Sequence, residues 1–143
     1  MIILDTNVLS ALMRNQPDAA VVRWLDQQPA DTIWITSITV FETRFGISLL
    51  ADSRRRQNLE TAFNRLLEKE LANRVLDFDS VAAVHAGILA AERQKIGRPV
   101  DIRDTLIAGI ALTHHAILAT RNFKHFSDLE IPVVNPWDSL ETR

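Results

Sequence analysis

Short apolar runs alternate with longer stretches of helical spacing along this chain. Residues 2–4 (Ile-Ile-Leu), 33–36 (Ile-Trp-Ile-Thr), 75–78, 116–119 (Ala-Ile-Leu-Ala) and 131–134 read as buried strands. Between them, residues 6–14, a segment opening at Asp18 and stopped by Pro29, 40–50, 53–71, 79 to about 97, and 101–113 read as helices. The spacing places Phe41, Phe45 and Leu49 on one stripe, Leu59, Phe63, Leu66 and Leu67 on another, and Val84, Ile88 and Ala91 on a third. The helix from 101 is apolar on nearly every side and should be buried. Strands that alternate with helices predict a three-layer α/β/α arrangement around a central, mostly parallel sheet. The chain of 143 residues suits one such domain, spanning 1–143.

In a sheet of this kind ligands bind beyond the carboxyl ends of the strands. Asp5 follows the first strand and Asn122 comes just after the strand at 116–119. The link from residue 113 to residue 116 is very short, so the helix before it ends at the bottom of the sheet. Its beginning, with Asp101 and Asp104, then lies at the top near Asp5. Glu42 sits early in the helix after the second strand, on the stripe of Phe45 and Leu49. Each acid has a local explanation. Asp5 and Asp101 can cap helices, Thr39 and Glu42 fit a capping box, and Asn122 suits a turn. Three independent caps need not meet at one sheet edge, however, and clustered carboxylates repel unless a cation lies among them.

Composition narrows the chemistry. Hydrophobic residues make up 47% and charged residues 24%, enough for a sizeable core. The net charge of −2 offers no basic field to hold nucleic acid, so such contact must come from local patches or a metal. With no cysteine there are no disulfides or thiolate sites. The start is not a signal peptide, and no run approaches the ~20 apolar residues of a membrane span, so a cytoplasmic protein without membrane contact is expected. Oxygen donors suit Mg²⁺ or Mn²⁺ rather than Zn²⁺. His85 and His125 are isolated, and His114 and His115 are adjacent rather than at metal-binding spacing. Phosphate-binding loops, a paired Asp-x-Asp and a Gly-x-Ser-x-Gly elbow are absent.

The ordered set Ile3-Leu4-Asp5-Thr6-Asn7, Glu42, Gly97-Arg98-Pro99 before Asp104-Thr105-Leu106-Ile107-Ala108, and Thr120-Arg121-Asn122 resembles the PIN domain. With the closing Asn135-Pro136-Trp137-Asp138 and the overall length, it looks like the VapC/FitB-type toxins of toxin–antitoxin pairs. The resemblance implies a Mg²⁺- or Mn²⁺-dependent endoribonuclease that hydrolyses RNA by metal-assisted attack of water. By position, Asp5, Glu42 and Asp104 correspond to metal ligands, and Asn122 falls where many members carry a fourth acid. That departure leaves one metal or two undecided. Asp101, one turn before Asp104, offers partial compensation or is a solvated cap. Thr6, Asn7 and Thr120 are positioned to orient a ligand or a water.

Arg14, Arg44, Arg98, Arg103 and Arg121 are candidates for RNA contact, against the reading of each as a solvated surface residue. The run Arg54-Arg55-Arg56 opens a helix and either meets a partner or is solvated. The resemblance also implies a cognate antitoxin, promoter DNA bound only through the antitoxin complex, and a homodimer. Val21, Trp24, Phe63 and Leu67 are available for such a surface, with core packing the default. The competing expectation is a PIN-like binding module, weak in catalysis, that works only in an antitoxin complex on promoter DNA. Carboxylates and metal do not by themselves separate RNA from DNA as substrate.

Overall fold

The computed structural model describes residues 1–138. Five strands form one sheet: β1 (Ile2–Leu4), β2 (Ile33–Thr36), β3 (Val75–Leu76), β4 (Ile117–Ala119) and β5 (Val133–Val134), in the order β3-β2-β1-β4-β5. Every neighbouring pair is parallel, so the sheet is wholly rather than mostly parallel. Six α-helices connect and cover it: α1 (Thr6–Met13), α2 (Ala19–Asp26), α3 (Ser37–Leu49), α4 (Arg54–Arg65, prolonged by a π-helical turn over Leu66–Glu70), α5 (Ser80–Lys95) and α6 (Ile102–His114). Among the described residues no helix is long and apolar enough to cross a membrane.

Successive strand residues face opposite sides, and the core divides accordingly. Ile2, Leu4, Ile33, Ile35 and Ala119 pack with Val8, Leu9, Val21, Trp24 and Phe63 from α1, α2 and α4. Ile3 and Leu118 pack on the other face with Ala82, Leu89, Ile107, Ala108 and Ala111 from α5 and α6. Three layers result. Val21, Trp24 and Phe63 are therefore core residues and not part of a surface, and Leu67 is half-buried against the same cluster.

Two expected faces are reversed. Phe41, Phe45 and Leu49 are 57%, 51% and 70% exposed, while the opposite side of α3 buries Thr39, Thr43 and Ile47. On α5, Val84 and Ile88 are exposed and Ala82, Ala86, Leu89 and Arg93 are buried. The buried side of α5 is small because α6 comes very close: a Cβ on Gly109 would lie 2.6 Å from the Ala82 carbonyl oxygen. Close backbone approach, rather than large side chains, defines this contact.

The ends of α6 behave as the short link requires. His115 adopts the left-handed conformation (φ 50) and closes the helix. The chain then enters β4, which runs parallel to β1. This puts the start of α6 beyond the carboxyl ends of the central strands, beside Asp5.

Candidate active site

Asp5 leaves β1 with its N–H donating to the Ala119 carbonyl of β4, which draws the two strand ends together. It is the N-cap of α1, and its Oδ1 accepts the Thr6 N–H at 2.8 Å. Its Oδ2 accepts the Thr120 hydroxyl at 2.7 Å and the Asn7 side-chain amide at 3.3 Å. Asn7 also donates to the Thr120 oxygen at 3.3 Å, and its own oxygen accepts the Arg121 N–H at 3.1 Å. Thr6, Asn7 and Thr120 thus hold Asp5, as their sequence positions suggest. The carboxylate is only 2% exposed.

Glu42 comes from the second turn of α3. The N-cap of that helix is Thr36, which accepts the Thr39 N–H at 3.1 Å, so the expected Thr39–Glu42 capping box does not form. Freed from capping, Glu42 turns to the sheet edge, where its Oε1 accepts the Thr6 hydroxyl at 2.9 Å. Arg103 lies 3.7 Å from its Oε2 and also reaches Asp101, the N-cap of α6, at 3.3 Å.

Asp104 is half-buried in the first turn of α6, and its Oδ2 lies 2.7 Å from His125 Nδ1. This histidine was expected to be isolated. It is 21 residues away in sequence, and no local spacing signals the contact. The Asn122 N–H donates to Thr120 Oγ1 at 3.0 Å, which fixes the start of the loop carrying His125.

Electrostatics ties the acids together. Burial pushes the Asp5 carboxyl up from 3.8 to about 6, against the opposing donors Thr120 and Thr6, and the charges of Asp104 and Glu42 add to the rise. Burial also raises Glu42, against the Thr6 hydroxyl and Arg103, and Asp104 and Asp101 push in the same direction. The bond and charge of Arg103 lower Asp101.

Folded Asp5 holds its proton to a higher pH than unfolded Asp5. Its contribution to stability is therefore complete below pH 3.8 and lost as pH rises through about 6. The loss is on the order of 3 kcal/mol. Urea unfolding of metal-free protein should show stability falling between pH 4 and 7, with Asp5→Asn flattening the fall. An equally steep fall in the variant would assign it to other groups.

The five arginines do not behave alike. Arg103 stands among the acids. The Arg121 guanidinium lies over the Trp137 ring, 4.7 Å from its centre, and Trp137 donates its indole N–H to Asp18 at 2.9 Å. Arg98 donates to the Lys124 carbonyl at 2.6 Å and so braces the loop beside the site. Arg14 caps the far end of α1 and lines a separate groove with Arg54 and Arg55, away from Asp5. Arg44 is exposed on α3.

Among the described residues, no three histidine, cysteine, aspartate or glutamate side chains stand close enough to hold a metal ion as placed. In kind, the donors still suit a hard cation. They are carboxylate oxygens, Asp5 and Glu42 being raised first by burial and further by neighbouring acid charges, and each carboxylate keeps lone pairs beyond those its protein donors use.

These features define an acidic site at the carboxyl edge of a parallel sheet, built from three separate helix starts. The PIN domain model matches residues 2–131, and the chain belongs to the PIN domain family. It is similar to "VapC ribonuclease Y4jK" of Sinorhizobium fredii, 38% identical, covering 96% of this chain and 99% of that one. It is also similar to "Toxin FitB" of Neisseria gonorrhoeae, 36% identical with coverage of 96% and 99%. The structure of FitAB bound to an IR36 DNA fragment superposes with a TM-score of 0.86 at 33% identity, over 96% of both chains.

Proposed function

We propose that this chain is the endoribonuclease toxin of a toxin–antitoxin pair and that it hydrolyses RNA with the help of Mg²⁺ or Mn²⁺. The observation that carries the reading is the meeting of Asp5, Glu42 and Asp104 at one sheet edge, with a raised buried carboxyl at its centre. Relatives over nearly the whole chain bear ribonuclease names, which supports RNA as the substrate.

Asp5, Glu42 and Asp104 would hold the cation, and Asn122 leaves the set one acid short of many members. A divalent cation supplies charge neutralisation at the phosphate and a more acidic water. The chain's own groups do the positioning. Thr120, Thr6 and Asn7 fix the Asp5 oxygens, Thr6 also fixes Glu42, and His125 fixes one oxygen of Asp104. Arg103, 3.7 Å from Glu42 Oε2, neutralises part of the acid cluster.

The antitoxin, promoter DNA bound through it, and a homodimer belong to the same reading. Structural neighbours are toxin–antitoxin complexes, some bound to DNA. Support for a protein contact comes from the stacked Phe41 and Phe45, 6.0 Å apart, with Leu49 exposed on the same stripe of α3. Apolar side chains of this size left in water mark a surface that meets another chain.

The test is cleavage of a mixed RNA pool by antitoxin-free protein with Mg²⁺ or Mn²⁺, and with EDTA. Discrete cuts that vanish in EDTA are expected. Folded protein that leaves every RNA intact, including transfer RNA, would put the non-catalytic binding module in its place.

A further inference from the structure

Next to the acids lies an open cleft of about 720 Å³ that they do not explain. Arg121, Asn122, Phe123, Lys124, His125 and Asn135 line it. Its floor is a single helical turn, Phe123–His125, that follows β4. Two buttresses clamp this turn from behind: Arg98 binds the Lys124 carbonyl at 2.6 Å and Arg93 binds the His125 carbonyl at 2.7 Å. The backbone is fixed, yet the side chains of Phe123, Lys124 and His125 are left outward. Phe123, a large apolar ring, is 47% exposed.

An exposed ring on a braced turn is a ready stacking platform. Two cations share its cleft, with the acid Asp138 on the lining as well. Arg121 is held in place over Trp137, and Lys124 follows Phe123 directly. The cleft is contiguous with the acid site at two points, since His125 contacts Asp104 and the Asn122 N–H meets the Thr120 hydroxyl that binds Asp5. The rest of the surface supplies no general basic field at a net charge of −2. Local cations beside an aromatic face therefore matter more here than in a basic protein.

We infer that this cleft is a nucleotide subsite for single-stranded RNA, in which an unpaired base adjacent to the cleaved bond stacks on Phe123 while Lys124 and Arg121 contact flanking phosphates. The inference rests on the nuclease reading and adds to it the residues that would hold a nucleotide beside the cut, Phe123 for the base and Lys124 and Arg121 for the phosphates. A base inside a duplex cannot offer its face to Phe123, so paired RNA should be excluded.

Binding separates this from catalysis. The probe is a fluorescein-labelled single-stranded RNA pool with Mg²⁺, titrated by anisotropy against the Asp5→Asn protein, which does not cut it. Adding Phe123→Ala should weaken binding about 5- to 150-fold, the range of one lost base stack. Phe123→Trp should retain it, and a duplex competitor should fail to displace the strand. Adding Lys124→Ala instead should lower the slope of log affinity against log salt by about one, whereas Phe123→Ala leaves the slope alone. If Phe123→Ala stays within twofold while the parent binds and both melt alike, the subsite is overturned and the nuclease reading stands. Wild-type protein that is folded and, with Mg²⁺, neither binds nor cuts the pool overturns both.

Discussion

Asp5→Asn should abolish RNA cleavage while leaving the domain folded. Loss of a group that merely orients a metal ligand typically lowers affinity or activity about 10- to 100-fold, so loss of the ligand's charge should exceed a hundredfold. Asp104→Asn should do the same. The fold should survive because the change removes the feature that strains it. Asp5 is buried, and at neutral pH its charge is held against a pKa raised to about 6. An amide of the same shape has no such charge to desolvate, and its single oxygen can keep the Thr120 and Asn7 bonds at the expense of the Thr6 N–H bond. The melting temperature at pH 7.5 should be unchanged or higher in EDTA, while Mn²⁺ should stabilise the parent more than the variant. Retained turnover in a folded Asp5→Asn protein would remove Asp5 from the chemistry.

Much of this arrangement was readable in advance. Strands covered on both faces are apolar at every position, so 2–4, 33–36 and 117–119 stood out without alternation. The short link at 113–116 then fixed the direction of α6 and brought Asp104 to Asp5. What failed was the choice of helix face. On α3 both sides carry apolar residues, with Val40 and Ile47 on one and Phe41, Phe45 and Leu49 on the other. Periodicity reports that an apolar stripe exists, not whether the same chain or another one covers it. On α5 the buried side is alanine, set by the close approach of Gly109, and larger residues on the wet side gave the stronger signal.

Two contacts at the site lay beyond reach for a different reason. The Thr39–Glu42 spacing suits a capping box, but Thr36 starts the helix three residues earlier. His125 meets Asp104 only because a loop after β4 folds back over α6. Both depend on tertiary placement, which no local spacing encodes.

Arg93→Ala should be the most destabilising single change in the layer behind the site, at about 3–5 kcal/mol, the usual loss when one partner of a buried pair is removed. Arg93 is among the largest fully buried side chains, at 2% exposure. Its Nε and Nη2 grip both oxygens of Asp128 at 2.9 Å, Nη1 donates to the Thr105 hydroxyl at 3.0 Å, and Nη2 also reaches the His125 carbonyl. One side chain on α5 therefore ties the residue after Asp104 to the loop that bears His125. Lysine cannot replace this planar fork, so Arg93→Lys should recover little. Asp128→Asn should also be costly, because its amide keeps one acceptor but sets an NH2 against the guanidinium and leaves the buried Arg93 charge unpaired. A melting temperature at least about 10 °C lower is expected for Arg93→Ala. At a temperature where the variant remains folded, cleavage should still fall, because the Asp104–His125 contact is no longer held from behind. A melting shift of only a degree or two would show that the loop and α6 keep their places without Arg93.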